Sequence, residues 1–148
     1  MVANEGELVV VGVDGSPESA RALAWAARYA RAVGASVRAV LAWHYPAPAG
    51  PAPIGVAPAA VTSEVEQAKL DELRAVIAET LGQSPQVPVE PRLAYGHPAQ
   101  VLIAESAGAD LLVVGSRGHG GFTGMLLGSV STHCVTHAAC PVTVVRAR

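Results

Sequence analysis

The stretch Gly115-Ser116-Arg117-Gly118, then nine residues, then Gly128-Ser129 has the residue types to hold an anion. It follows the apolar run Leu111-Leu112-Val113-Val114 and precedes an amphipathic segment. Strand, glycine-rich turn and helix N-terminus, in that order, leave backbone N–H groups without partners. Glycines let the backbone approach a ligand closely, and the free N–H groups together with the helix dipole favour phosphate. The segment therefore points to a nucleotide whose phosphates it would hold. Arg117 and His119 are the only charged or titratable side chains between Gly115 and Gly128. Arg117 reads as a phosphate contact, since nothing else there neutralises negative charge. His119 reads as a solvated loop residue.

The common nucleotide signatures do not fit. A P-loop needs GxxxxGK[ST], and the stretch from Gly115 to Gly120 is not followed by lysine. Gly118-His119-Gly120-Gly121-Phe122-Thr123 does not complete GxGxxG, and it does not follow the first strand. A second candidate lies far upstream, where Asp14-Gly15-Ser16-Pro17 closes a β-branched run. This is an ordinary turn and helix-start signal, and its carboxylate can also meet a ligand. His133, Cys134, His137 and Cys140 invite a metal reading. His133 and His137 share one helix face, but Cys134 points off it and no CxxC is present. A structural helix with a buried cysteine explains them, and no metal ligands are assigned.

These residues need elements to position them. Leu8 to Val13 reads as a buried first strand. Ser16 as N-cap and Pro17 at the first helical position start a helix. Its apolar side carries Leu23, Ala27, Ala30 and Val33, its other side Arg21, Arg28 and Arg31, and Gly34 stops it. Val37 to Trp43 is a second strand, after which Trp43-His44-Tyr45 reads either as rim packing or as a wall beside a base. Pro46 to Pro58 reads as an extended loop. Ser63-x-x-Glu66 is a capping box that opens a second helix, ended by Gly82. Val87 to Leu93 is a third strand, placed near an edge by Pro88 and Pro91. A third helix starts at Pro98 and ends near Gly108. Asp110 to Val114 is the fourth strand, Gly128 to His137 the fourth helix, and Pro141 to Val145 the last strand. Strands alternating with helices imply a parallel sheet and a doubly wound α/β domain, without internal repeats. Ligands in such sheets bind beyond the strand C-termini at the switch point, where Asp14 and Gly115 both fall.

With 148 residues, 51% hydrophobic and 15% charged, the chain is long enough for one domain with a real core. Ten basic and twelve acidic residues give a net charge of -2, and no basic tract suggests nucleic acid or an anionic membrane. Nine of the ten basic residues are arginine. The uncharged region from Ala39 to Ser63 is broken by Pro46, Pro48, Pro51, Pro53 and Pro58, so it is not a membrane span. The first residues carry no basic segment of a signal peptide, and two cysteines fit reduced intracellular thiols. A cytoplasmic location is expected.

The spacing G-x2-G-x9-G-S, filled by Gly115, Gly118, Gly128 and Ser129, resembles the signature of the ATP-binding branch of the universal stress protein family. The opening Val11-Gly12-Val13-Asp14-Gly15-Ser16 and the ending Cys140-Pro141-Val142-Thr143-Val144-Val145 are similar to that family's first and last strands. The resemblance covers essentially the whole chain and implies a single domain over residues 1–148. The implied fold is Rossmann-like, of the adenine nucleotide alpha hydrolase type, with a five-stranded, mainly parallel sheet and helices on both faces. It implies that Asp14 lies near the adenosine with Gly12 and Val13 beside it. Ala42 would meet the adenine edge through its backbone, and Val114 would flank the adenosine. Gly115, Arg117 and Gly118 would wrap ribose and phosphates. Gly128, Ser129, Val130 and Ser131 would bind the triphosphate through N–H groups and two hydroxyls. The implied ligand is ATP, with Mg²⁺ compensating for the missing lysine; AMP and cyclic AMP stay open. The resemblance also implies a homodimer through Val142 to Val145.

Three functions follow from these residues: a stress-response module that senses or buffers ATP, an ATP hydrolase or phosphotransferase using the same site, and an interaction protein whose glycine loop is only structural. The hydrolase reading lacks parts. Phosphoryl transfer wants charge neutralisation, metal carboxylates and a group that places the nucleophile, for which only Arg117, Asp14 and His119 are on offer. Slow hydrolysis is the most these residues support.

Overall fold

Residues 6–44, 58–117 and 127–146 are described in the computed structural model of the chain. The elements run β1 (Leu8–Gly12), α1 (Pro17–Val33), β2 (Ser36–Trp43), α2 (Pro58–Leu81), β3 (Val89–Tyr95), α3 (Pro98–Glu105), β4 (Leu111–Gly115), α4 (Ser129–His137) and β5 (Val142–Val145). The five strands form one sheet in the order β3-β2-β1-β4-β5. Every strand pair is parallel, so the sheet is wholly rather than mainly parallel. The order reverses between β1 and β4, which places the switch point at their C-terminal ends.

Successive residues of a strand face opposite sides, and the two cores follow that alternation. Val9, Val11, Val37, Ala39, Leu41, Leu111 and Val113 pack against Ala22, Leu23, Ala26 and Ala30 of α1 and Leu73 and Ile77 of α2. Val10, Val40, Leu112 and Val114 pack against Val101 and Leu102 of α3 and Cys134 of α4. Strands buried on both faces read as unbroken apolar runs, as β1 and β4 do. The central strands are fully enclosed: Val9, Val10, Val11, Leu112 and Val113 have no exposed surface. Truncating a side chain so placed, Leu23→Ala for example, costs about 2–5 kcal/mol.

The start of α1 follows the sequence reading. Ser16 caps it by accepting from the Ser19 N–H, Pro17 opens it, and Gly34 closes it in the left-handed conformation at φ 76°. Val33 departs from that reading, because the last turn runs past the sheet and leaves the side chain 45% exposed. The start of α2 is corrected too. The helix begins at Pro58, so Ser63 and Glu66 lie inside it rather than at its start. Proline is well suited to a first helical turn, and Ala59 and Ala60 propagate a helix readily. β3 lies at one edge of the sheet, where Pro91, which has no N–H to donate, is tolerated. Residues 45–57, which carry most of the expected extended loop, are outside the described residues.

Candidate functional site

Two strand ends and two helix starts meet at the switch point. β1 and β4 are paired through Val11 and Val113, so the turns that leave them start side by side. The Val13 N–H donates to the Val40 carbonyl at 2.8 Å, which carries the chain one residue past β1 while still tied to β2.

At the first turn, polar groups bond one another. Asp14 Oδ1 accepts from the Ser16 N–H at 2.9 Å and also from the Ser16 hydroxyl. The Asp14 N–H donates to Ser19 Oγ at 3.2 Å, while the Ser19 N–H donates to Ser16 Oγ at 3.2 Å and the Ser19 hydroxyl to the Ser16 carbonyl at 3.0 Å. Ser16 and Ser19 are buried. Asp14 therefore serves the turn and the cap of α1, as the Asp-Gly-Ser-Pro pattern suggested. Sequence reasoning missed Ser19. Its signal was present, since it stands three residues after a serine cap, where the first-turn N–H seeks an acceptor.

The second turn is built differently. The Ser116 N–H donates to the Val145 carbonyl at 2.9 Å, which continues the β4–β5 ladder. The Ser116 carbonyl accepts twice, from the Gly128 N–H at 2.6 Å and from the Ser131 hydroxyl at 3.0 Å. This carbonyl pins both ends of the glycine segment together. Ser131 also reaches the Gly128 carbonyl at 3.1 Å, which the Thr132 hydroxyl and N–H approach at 2.8 and 3.0 Å. Gly128 is the N-cap of α4 and has no side chain to cap it, and no acidic residue lies in the first turn. The N–H groups of Ser129, Val130 and Ser131 precede the first i→i−4 bond of the helix. They and the positive end of the helix dipole form a donor set at the start of α4.

Glycines at the two strand ends permit close packing. A Cβ on Gly115 would lie 3.1 Å from the backbone carbon and oxygen of Glu18, so the first turn of α1 rests directly on the end of β4. A Cβ on Gly12 would lie 2.7 Å from Leu102 Cδ1 of α3. Both glycines thus set helix–sheet distances, besides any contact with a ligand.

The remaining expected residues are placed as follows. Val13 and Val114 are buried in opposite cores, so only their backbone can face a ligand. Ala42, next to last in β2, lies on the α3–α4 side of the sheet, in register with Ala94. Val130 packs partly onto the same core, and Ser131 is 2% exposed. Arg117 is half-buried and joins none of the ion pairs among the described residues. Gly118 and His119 lie outside the described residues, so the structure joins Gly115 to Gly128 without placing the second glycine of the spacing. Ser116 was not singled out from the sequence. Its role rests on a backbone carbonyl, which every residue has, so no sequence signal existed. Trp43 is buried and meets Tyr95 edge-on with ring centroids 5.4 Å apart, which favours the packing reading of that residue. Cys134, on the buried face of α4, is fully enclosed, and burial, with a smaller contribution from Cys140, pushes its thiol up to about 11.

The universal stress protein family model matches residues 7–146. The chain belongs to this family. A universal stress protein of Mycolicibacterium smegmatis is 39% identical over 148 residues, covering 95% of this chain and 46% of that protein. A universal stress protein of Thermus aquaticus is 31% identical over 140 residues, covering 93% of this chain and 97% of that protein. This chain thus spans a little under half of the mycobacterial relative. Among solved structures, a universal stress protein crystallised in complex with cAMP is 27% identical with a TM-score of 0.65, covering 95% of this chain and 97% of that one. No helix among the described residues is long and apolar enough to cross a membrane.

Proposed function

We propose that this universal stress protein domain holds an adenine nucleotide in the crevice between β1 and β4, with ATP and Mg²⁺ as its working ligand and regulation rather than catalysis as its task. The observation that carries the reading is the start of α4. Its N-cap is a glycine, its first-turn N–H groups are outside the helical ladder, and its Ser131 hydroxyl bonds carbonyls inside the protein. Such an end is a ready anion site. Arg117, which follows β4 closely, adds a cation, and a bound Mg²⁺ would take up the charge that a P-loop lysine takes elsewhere. Asp14, Gly12 and Val13 face the nucleoside side, with Ala42 toward the base. The cAMP complex of a relative supports an adenine ligand for this chain.

The domain acts in the cytoplasm as a homodimer in this reading. β5 pairs with β4 on one side and is the edge of the sheet on the other, and its four residues are half-buried. A second copy pairing there would cover an exposed strand edge.

Thermal melting with Mg²⁺ and ATP, AMP or cyclic AMP tests the reading. At a hundredfold excess over Kd a ligand adds about 2.7 kcal/mol to native stability. For a chain of this length that is a rise in Tm of about 5–10 °C. Ser129→Pro removes one donor N–H at a position where helices accept proline, and should cut the rise sharply with the apo Tm retained. No rise with any adenine nucleotide would overturn the proposal. Phosphate release above about 1 s⁻¹, an ordinary enzymatic rate, would shift it to an enzyme.

A further inference from the structure

We propose that His44 and His97 form a two-imidazole site for a divalent transition-metal ion, at the rim where β2 meets α3. His44 follows β2, and His97 is the N-cap of α3, just after β3. The residues are 53 positions apart in the chain and are brought together by the parallel pairing of β2 with β3, which ends with Trp43 opposite Tyr95. Hydrogen bonds hold the backbone on both sides. The Gly96 N–H donates to the Trp43 carbonyl at 2.9 Å, and the Val101 N–H donates to the His97 carbonyl at 2.9 Å.

The rings stand with centroids 5.4 Å apart and planes 40° from each other. They are too tilted for a stacked pair. Although His97 occupies an N-cap, its side chain makes no capping hydrogen bond. Both residues are exposed, so their nitrogens can be reached from solvent. An imidazole nitrogen bound at about 2.0–2.1 Å places the ring centroid about 3.2 Å from the metal. Two rings 5.4 Å apart then subtend about 115° at the ion, close to the tetrahedral angle. Rotation about χ2, a soft torsion for histidine, turns one nitrogen of each ring toward that point.

Imidazole selects Zn²⁺, Ni²⁺ or Cu²⁺ over the oxygen-seeking Mg²⁺ and Ca²⁺. No group of three or more His, Cys, Asp or Glu side chains able to hold a metal occurs among the described residues. The remaining coordination positions are therefore open to water or to a donor brought by another molecule. The site is separate from any Mg²⁺ that accompanies a phosphate, and it does not depend on nucleotide binding. His133 and His137 show the same 5.4 Å separation, but one turn of helix produces it for any i,i+4 pair. That second pair has to be removed before the first is measured.

The test is calorimetric titration of the full chain, carrying His133→Gln and His137→Gln, with Ni²⁺ and with Zn²⁺. One ion per chain is expected. Adding either His44→Gln or His97→Gln should weaken binding at least tenfold and abolish the metal-induced rise in Tm, with the metal-free Tm unchanged because both side chains are exposed. Mg²⁺ should give no binding heat at this site. Failure to bind in the double-Gln background, or binding that survives both His44→Gln and His97→Gln, would overturn the proposal.

Discussion

The two helix starts that flank the crevice draw on the same small polar residues and end in opposite states. At α1, Ser16, Ser19 and Asp14 bond one another, and Glu18 adds a negative charge to the first turn. At α4, the cap is Gly128, no acid is present, and Ser131 is bonded to carbonyls behind it. One end has a side-chain cap from within the protein, and the other has neither a side-chain cap nor a first-turn acid. The difference comes down to the cap residue. A serine cap fills the position a ligand would need, whereas a glycine cap leaves it empty.

Removing the spacing between the two ends should have the largest effect. Gly115→Val places side-chain atoms against the Glu18 backbone, which cannot swing aside as a side chain would. A loss of about 2–3 kcal/mol is expected in urea unfolding, as for other overpacked sites, together with loss of the nucleotide-induced Tm rise. A second test alters only the buried face of α4. The native state keeps the Cys134 proton to about 11, against an ordinary value of 9.0. Between those values the unfolded chain holds fewer protons than the native one, so stability falls as pH rises, by on the order of 2 kcal/mol. Cys134→Ala should remove that part of the alkaline slope, measured as unfolding free energy against pH.

A third substitution converts one end into the other. Gly128→Asp gives α4 a capping carboxylate. Apo stability should hold or rise slightly, while nucleotide affinity by calorimetry should fall at least tenfold, about 1.4 kcal/mol. Unchanged affinity would break the comparison. The reverse change at α1 is smaller. Ser16→Ala should cost about 1 kcal/mol of stability by removing the cap.

The element order was legible because each element carries its own chemistry: Ser16-Pro17 at one helix start, Gly34 and Gly82 after helix ends, unbroken apolar runs for β1 and β4. Ser63-x-x-Glu66 misled because the same pattern occurs inside a helix, and only the backbone tells whether the N–H groups there still need an acceptor. Val33 misled because periodicity continues past the point where the sheet ends. For the site, the glycine spacing and Asp14 marked the rim on which β1 and β4 end. The Ser116 pin and the His44–His97 pair were invisible, the first because it uses a main-chain oxygen, the second because strand register brings distant residues together.

The double acceptance at Ser116 also works as a clasp. Ser116 and Gly128 are twelve positions apart in the chain, yet one carbonyl holds both the Gly128 N–H and the Ser131 hydroxyl. The start of α4 is thereby fastened to the end of β4, and a shift of one is passed directly to the other.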